Sequence, residues 1–560
     1  MRIREKQERR SQAARRGIFE ISSDERKFMT ADGAASVQRM EITNRRGERM
    51  SGARGWKTMR KAGGIAAMAL AAAMMQAGPA RAQTARHDDF VKRAETRLTL
   101  DGATFRYSGP NIEWLGLEGY GPHDPMGPRF PRRAEIDDAF ATAEEMGARV
   151  VRSQTMGDTV GCERCIEPEE GKFNEAGFQA SDYALADARK HGMKLIITLV
   201  GDCAACEGGG IGEYLEWEKK KNPQDFFTDP GLIAAYEKHI DAVLNHMNPL
   251  TGVRYKDDPT ILAWEDCNMC GLVAQFLGGG AGAFGQVSDW VETVGEHIKM
   301  EDPRHLFLDN SGIFRAYPKA LDDESPDMFT FEYYPHWDAL LGPGLHTTAE
   351  TFRADAATVT SHGKAYIVNE FGWDRTDWKT QEDLQEVLDT LAKDTNISGD
   401  DFWALQAHLE NFGFQPIPAD TNNAAYAERG ESGEWWALYY PGIKTLVNTA
   451  EDMGERAQQL RAHAYAMAGL PTPKHMIPER PVVTTVVIGG LVAWRGSAGA
   501  VKYSIERMDP GGSEWKTVCD RCATDADDPW VDPHPGGFGS RYRVTAYNAD
   551  GAASAPSEPR

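Results

Sequence analysis

Tyr366-Ile367-Val368-Asn369-Glu370-Phe371-Gly372 reads as an apolar strand that delivers one carboxylate, Glu370, onto a glycine-containing turn. Upstream, Ile261-Leu262-Ala263-Trp264-Glu265-Asp266-Cys267-Asn268-Met269-Cys270 repeats the form, an apolar run that ends in a polar tip. Two buried strands with polar ends belong to a sheet covered on both faces, whose chemistry sits at one edge.

Working outward, apolar runs alternate with amphipathic stretches from about residue 100 to 410. The strand candidates are Phe105–Leu115, Arg149–Ser153, Lys194–Val200, Thr260–Glu265, His305–Asp309, Met328–Tyr334, Ala365–Glu370 and Phe402–Gln406. Helical patterns fall between them at Ala134–Met146, Ala180–His191, Pro230–Met247, Val287–Lys299 and Gln381–Asp394. Eight such alternations predict an α/β fold, a closed (β/α)8 TIM barrel rather than an open doubly wound sheet. The site of a barrel lies at the C-terminal strand ends, where Trp114, Arg152, Asn268, Glu332-Tyr333-Tyr334, Glu370 and Trp403 are expected to converge. Glycine runs at 208–210 and 278–280 follow no phosphate-loop pattern, and no cofactor is expected.

Ahead of this region, residues 59–82 read as a secretory signal peptide: Arg60-Lys61, an apolar run from Gly64 to Met75, then Ala80-Arg81-Ala82. The run is too short for a membrane anchor, so no membrane association is expected after cleavage. Residues 1–58 are Arg-rich without apolar period and are set aside as an upstream segment. Residues 1–82 hold 18 basic and 8 acidic side chains of the chain's 62 and 84, so the remainder carries 44 − 76 = −32. A surface of that charge repels polyphosphate and excludes nucleic acid as a partner. A secreted or periplasmic protein is expected.

All eight cysteines fall in four C-x-x-C pairs: Cys162/Cys165, Cys203/Cys206, Cys267/Cys270 and Cys519/Cys522. In an oxidising compartment these are short-range disulfides; the other reading is a thiolate metal site. Three pairs follow the second, third and fourth predicted strands and so buttress one barrel face. After a Pro-rich linker at 471–481, short alternating strands at Val482–Ile488, Leu491–Trp494, Lys502–Arg507, Trp515–Val518 and Tyr542–Tyr547 predict a small β-sandwich. Leu491-Val492-Ala493-Trp494, Tyr503-Ser504-Ile505-Glu506-Arg507 and Tyr542–Asn548 resemble a fibronectin type III module.

The segment from Phe226-Phe227-Thr228-Asp229-Pro230 through Tyr255–Glu265 resembles the β-1,4-mannanases of glycoside hydrolase family 5. So do Asp101-Gly102-Ala103-Thr104-Phe105, Gly109-Pro110-Asn111, Val151-Arg152 and Asn369-Glu370-Phe371-Gly372. The resemblance covers about residues 90–410. It implies a retaining glycosidase, a mannan endo-1,4-β-mannosidase acting on β-linked polysaccharide, with Glu370 as nucleophile. Asn268 would hold the sugar 2-hydroxyl, Arg152 and Tyr334 would orient Glu370, and Trp403, with Trp114, would meet the sugar.

Two positions depart from the family. Its acid/base Glu follows the Asn matched by Asn268, where this chain has Met269; its His two residues before the Tyr matched by Tyr334 is Glu332 here. A retaining mechanism needs two carboxyls about 5 Å apart, so Glu332 is the candidate acid/base. Glu265 is read as a support for its strand end, and Asp266 as pointing to the other face by strand alternation. Two other readings compete: a carbohydrate-binding barrel without turnover, with Glu332 structural, and a metal-dependent hydrolase or sensor built on the clustered cysteines. The shortage of nearby histidines counts against catalytic zinc.

Overall fold

Strands covered on both faces must be apolar throughout, and the eight that build the main sheet are buried along nearly their whole length. They are β1 (Tyr107–Pro110), β2 (Val150–Ser153), β3 (Lys194–Thr198), β4 (Ile261–Glu265), β5 (Leu306–Asp309), β6 (Met328–Phe329, resumed at Glu332–Tyr333), β7 (Ala365–Phe371) and β8 (Ile397–Phe402). All pair in parallel in the order β1-β8-β7-β6-β5-β4-β3-β2. The ring closes where Asn111, just past β1, bridges Arg152 of β2. The fold is the (β/α)8 barrel. This computed structural model describes residues 89–119, 127–201, 209–271, 283–312, 318–334, 348–372, 384–415, 437–445, 448–524 and 529–560. The upstream segment, the signal-like stretch, Cys203/Cys206 and the glycine run at 278–280 lie outside them.

Inside the barrel, Val150, Ile196, Leu262, Leu308, Met328 and Ile367 from successive strands join one apolar cluster with Tyr107. Gly399 of β8 leaves room for that tyrosine: a Cβ there would lie 2.1 Å from its ring. Helices Arg133–Glu145, Gln179–Lys190, Pro230–Asn245, Ala283–Glu301, Ala349–Ser361, Leu384–Lys393 and Ala450–Met467 surround the strands. Pro230 opens its helix at a position that needs no N–H, and Asp229 caps it through the Gly231 N–H.

The eighth strand is not where the sequence pattern places it. It is Ile397–Phe402, whereas Leu405–Gln406 pairs separately with Leu438–Tyr439. Adjacent acids in Ile397-Ser398-Gly399-Asp400-Asp401-Phe402 disguise the strand. Both are buried with partners, Asp400 accepting from His463 and Asp401 from Tyr107. The first predicted strand is also shorter, turning into a 3-10 helix at Glu113–Leu115.

Past the barrel, β9 (Val482–Val487), β10 (Leu491–Arg495), β11 (Lys502–Met508), β12 (Lys516–Ala523), β13 (Trp530–Val531) and β14 (Arg541–Tyr547) make two three-stranded antiparallel sheets. Val492, Trp494, Tyr503, Ile505, Tyr542 and Val544 fill the space between them. The Pro-rich segment is docked rather than free. Glu145, at the end of its helix, is buried and accepts from the Arg461 guanidinium, the Tyr440 hydroxyl, the His475 ring and the Met476 N–H. Asn548 in turn donates to the carbonyls of His475 and Met476. Removing one partner of a buried ion pair costs about 3–5 kcal/mol. Glu145→Ala, which strands the buried Arg461, is therefore expected to lower the unfolding free energy by about that amount, measured by urea denaturation against Glu144→Ala as the exposed-side control.

Candidate active site

Arg152, at the C-terminal half of β2, has no contact with solvent. A guanidinium cannot shed its proton in a protein, so its burial demands acceptors around it. Glu265 at the end of β4 supplies a bidentate partner, with Nε and Nη2 each 2.8 Å from a carboxylate oxygen. Nη1 donates to Glu370 of β7 at 2.7 Å and to Asn111 Oδ1 at 2.9 Å, and Nη2 also reaches Asn268 Oδ1. One cation thus gathers residues from the tips of β1, β4 and β7.

Glu265 is the most heavily bonded carboxylate of the group. Besides Arg152 it accepts from Asn310, Asn369 and Thr198. Its oxygens are occupied, which matches the reading of Glu265 as a support. Asp266 faces outward, as strand alternation requires: it accepts the Cys267 and Asn310 N–H groups and lies against Tyr236 and Asp309. Burial and the Asp309 charge push its carboxyl well above the usual range.

Glu370 is held from both sides, by Arg152 on Oε2 and by the Tyr334 hydroxyl on Oε1. Burial raises its pKa, and these two donors oppose the rise. Glu332 stands directly opposite it in the ladder, since β6 and β7 pair Glu332 with Glu370. Asn310 donates to Glu332 Oε1 at 3.2 Å, and Oε2 is buried without a donor. Burial first, and then the Glu370 charge, push the Glu332 carboxyl well above the carboxylate range. Arg152 bonds Glu370 directly, whereas the Asn310 amide is the donor to Glu332, so burial favours the neutral form at Glu332.

Both tryptophans are buried. Trp114 is packed in the core and donates to the Leu405 carbonyl; Trp403 is buried beside an apolar cavity lined by Phe371, Leu384 and Leu438. Met269 is also buried, at a positive φ of 49°. The three described C-x-x-C pairs are disulfides, Cys162–Cys165, Cys267–Cys270 and Cys519–Cys522, and the second encloses Asn268 and Met269. Among the described residues no His/Cys/Asp/Glu cluster could hold a metal ion. Reading by motif missed Asn310 and Thr198, which fix Glu265; the polar residue directly after the β5 run was the available signal for the first.

With this geometry in place, comparison with known proteins is informative. Residues 88–313 match the sequence model described as GH family 5 beta-mannosidase-like. The chain is 34% identical over 222 residues to mannan endo-1,4-beta-mannosidase 7 of Arabidopsis thaliana, covering 39% of this chain and 47% of that protein. It is 29% identical over 298 residues to mannan endo-1,4-beta-mannosidase 4 of Oryza sativa subsp. japonica, covering 52% and 59%. The chain spans about half the length of the curated relatives it matches. The fold superposes on the endo-1,4-beta-mannanase of Rhizomucor miehei with a TM-score of 0.53 at 22% identity, covering 68% of this chain and 99% of that one. The barrel is similar to the family 5 mannanases.

A carboxyl whose folded pKa is raised stabilises the fold fully below the unfolded value, and that contribution is lost as pH rises through the folded one. Glu332→Gln keeps a neutral side chain opposite Glu370 and removes this titration. The variant's stability relative to the parent is expected to grow with pH above about 4.3, the ordinary Glu value; urea unfolding between acid and alkaline pH measures it, and a constant difference would contradict a protonated Glu332.

Proposed function

We propose that this chain is an exported glycoside hydrolase of the mannan endo-1,4-β-mannosidase type, cleaving β-mannan or a related β-linked polysaccharide with Glu370 as nucleophile. The observation that carries the reading is the clamp on Glu370, an arginine on one carboxylate oxygen and a tyrosine hydroxyl on the other. A nucleophilic carboxylate must stay ionised although buried, and a fixed cation beside it favours that form. In this reading Asn268, bonded to the same arginine, meets the 2-hydroxyl of the sugar. Similarity to plant mannan endo-1,4-beta-mannosidases supports the substrate class.

The proton for the leaving group comes from Glu332 in this reading. It is the buried carboxylic acid paired with Glu370 across the β6–β7 ladder, and burial and the Glu370 charge favour its neutral form. Export rests on the signal-like residues 59–82 and on the disulfides; among the described residues no helix is long and apolar enough to cross a membrane. One observation favours a second reading, a sugar-binding barrel without turnover: Met269, which cannot carry a proton, occupies the β4 tip.

Hydrolysis of soluble β-mannan decides between them. Glu370→Ala is expected to abolish turnover, and Glu332→Gln to reduce kcat by about 10²–10⁴-fold, the usual cost of losing a general acid. Parent activity should fall at alkaline pH as Glu332 ionises and at acid pH as Glu370 is protonated. An inactive parent that gains activity with Met269→Glu would establish the second reading.

A further inference from the structure

The tip of β4 is a covalently closed turn. Cys267 and Cys270 are both fully buried, their Cα atoms 5.7 Å apart, within the span of a four-residue turn. The two enclosed residues are Asn268 and Met269. Met269 takes a φ of 49°, a conformation that side-chain-bearing residues seldom adopt. On either side the chain is pinned by backbone bonds, the Asn268 N–H to the Val200 carbonyl and the Gly271 N–H to the Ser311 carbonyl. Within that frame the Asn268 carboxamide oxygen accepts from Arg152 Nη2, on the guanidinium whose Nη1 binds Glu370.

We infer that the Cys267–Cys270 disulfide is a positioning pair: it holds the tip turn in the one conformation that presents Asn268 to Arg152, and the site is complete only after these cysteines are oxidised. Without the covalent closure, the turn that carries Met269 in its disfavoured conformation is held by non-covalent contacts, among them the two flanking backbone bonds, the Cys267 N–H to Asp266 Oδ1 and the Arg152–Asn268 bond itself. Relaxation there rotates Asn268 away from the guanidinium. Forming the bond removes two electrons and two protons from the thiols, taken up by a disulfide-class oxidant that is itself reduced to thiols. Both sulfurs are shielded from solvent, so reductants cannot reach the bond in the folded protein, and the clamp is permanent rather than reversible. The Cys162–Cys165 and Cys519–Cys522 pairs, by contrast, enclose no residue that contacts Arg152 or Glu370.

The test is the titration of the buried carboxyl pair in the full chain, followed by infrared absorption of isotope-labelled glutamate side chains, and it needs no substrate. Losing the Asn268 acceptor loosens Arg152 and weakens its hold on the ionised Glu370. The midpoint for the Glu332–Glu370 pair should therefore rise, by about one pH unit, in Cys267→Ala/Cys270→Ala and in Asn268→Ala alike. Cys519→Ala/Cys522→Ala should leave it in place. An unmoved midpoint in the Cys267→Ala/Cys270→Ala protein overturns the proposal, as does an equal shift in the Cys519→Ala/Cys522→Ala protein. Should the first pair of substitutions prevent folding, Asn268→Ala decides by the same readout, and no movement overturns it. If the parent hydrolyses mannohexaose, kcat in Cys267→Ala/Cys270→Ala should drop at least about tenfold with KM little changed; a parent without hydrolysis refutes the proposed activity, and the carboxyl titration still settles the clamp.

Discussion

The buried charge of Arg152 is the constraint on which the site depends. It lies on β2, at the seam where the barrel closes, and its backbone bridges Asn111 beside β1. Its side chain reaches across the mouth to Glu265 on β4 and Glu370 on β7. A permanent cation with no access to water requires that these acceptors stay ionised and close. Strand closure and site geometry are thus one requirement: displacing β2 against β1 would pull the guanidinium off both carboxylates.

The same cation decides where protons sit. Three carboxyl groups, Glu265, Glu370 and Glu332, share the mouth with one guanidinium. Arg152 bonds directly to the first two, whereas the Asn310 amide is the donor to Glu332. A buried carboxyl without a direct cation partner favours its neutral form, and burial and the Glu370 charge push the Glu332 carboxyl well above the usual range.

How far this was legible in the sequence depends on which force places each residue. Apolar runs such as Ile261–Glu265 and Ala365–Phe371 announce their strands because barrel strands are buried on both faces, and their terminal carboxylates mark the site. Asp400 and Asp401 hide β8, because their partners His463 and Tyr107 lie far away in sequence and no local pattern foretells the pairing. Glu332 was legible as a carboxylate at a strand end. Its nearness to Glu370 was expected from the need for two neighbouring carboxyls, but the register between β6 and β7 that pairs them is a tertiary fact. The Pro-rich composition of 471–481 likewise reads as a free spacer, whereas Glu145 and Asn548 dock it.

Placing the proton on β6 instead of β4 changes the geometry the reaction must satisfy. β4 and β7 are separated by two strands in the ring, so groups on their tips face one another across the mouth. β6 and β7 are neighbours, and paired residues on adjacent strands stand about 4.8 Å apart at the backbone. Glu332 and Glu370 are such a pair. A donor there approaches the leaving group from the nucleophile's own side of the mouth. In the proposed reading Met269, apolar and buried at the β4 tip, supplies no proton donor on the opposite wall, and acid and nucleophile share the β6–β7 edge.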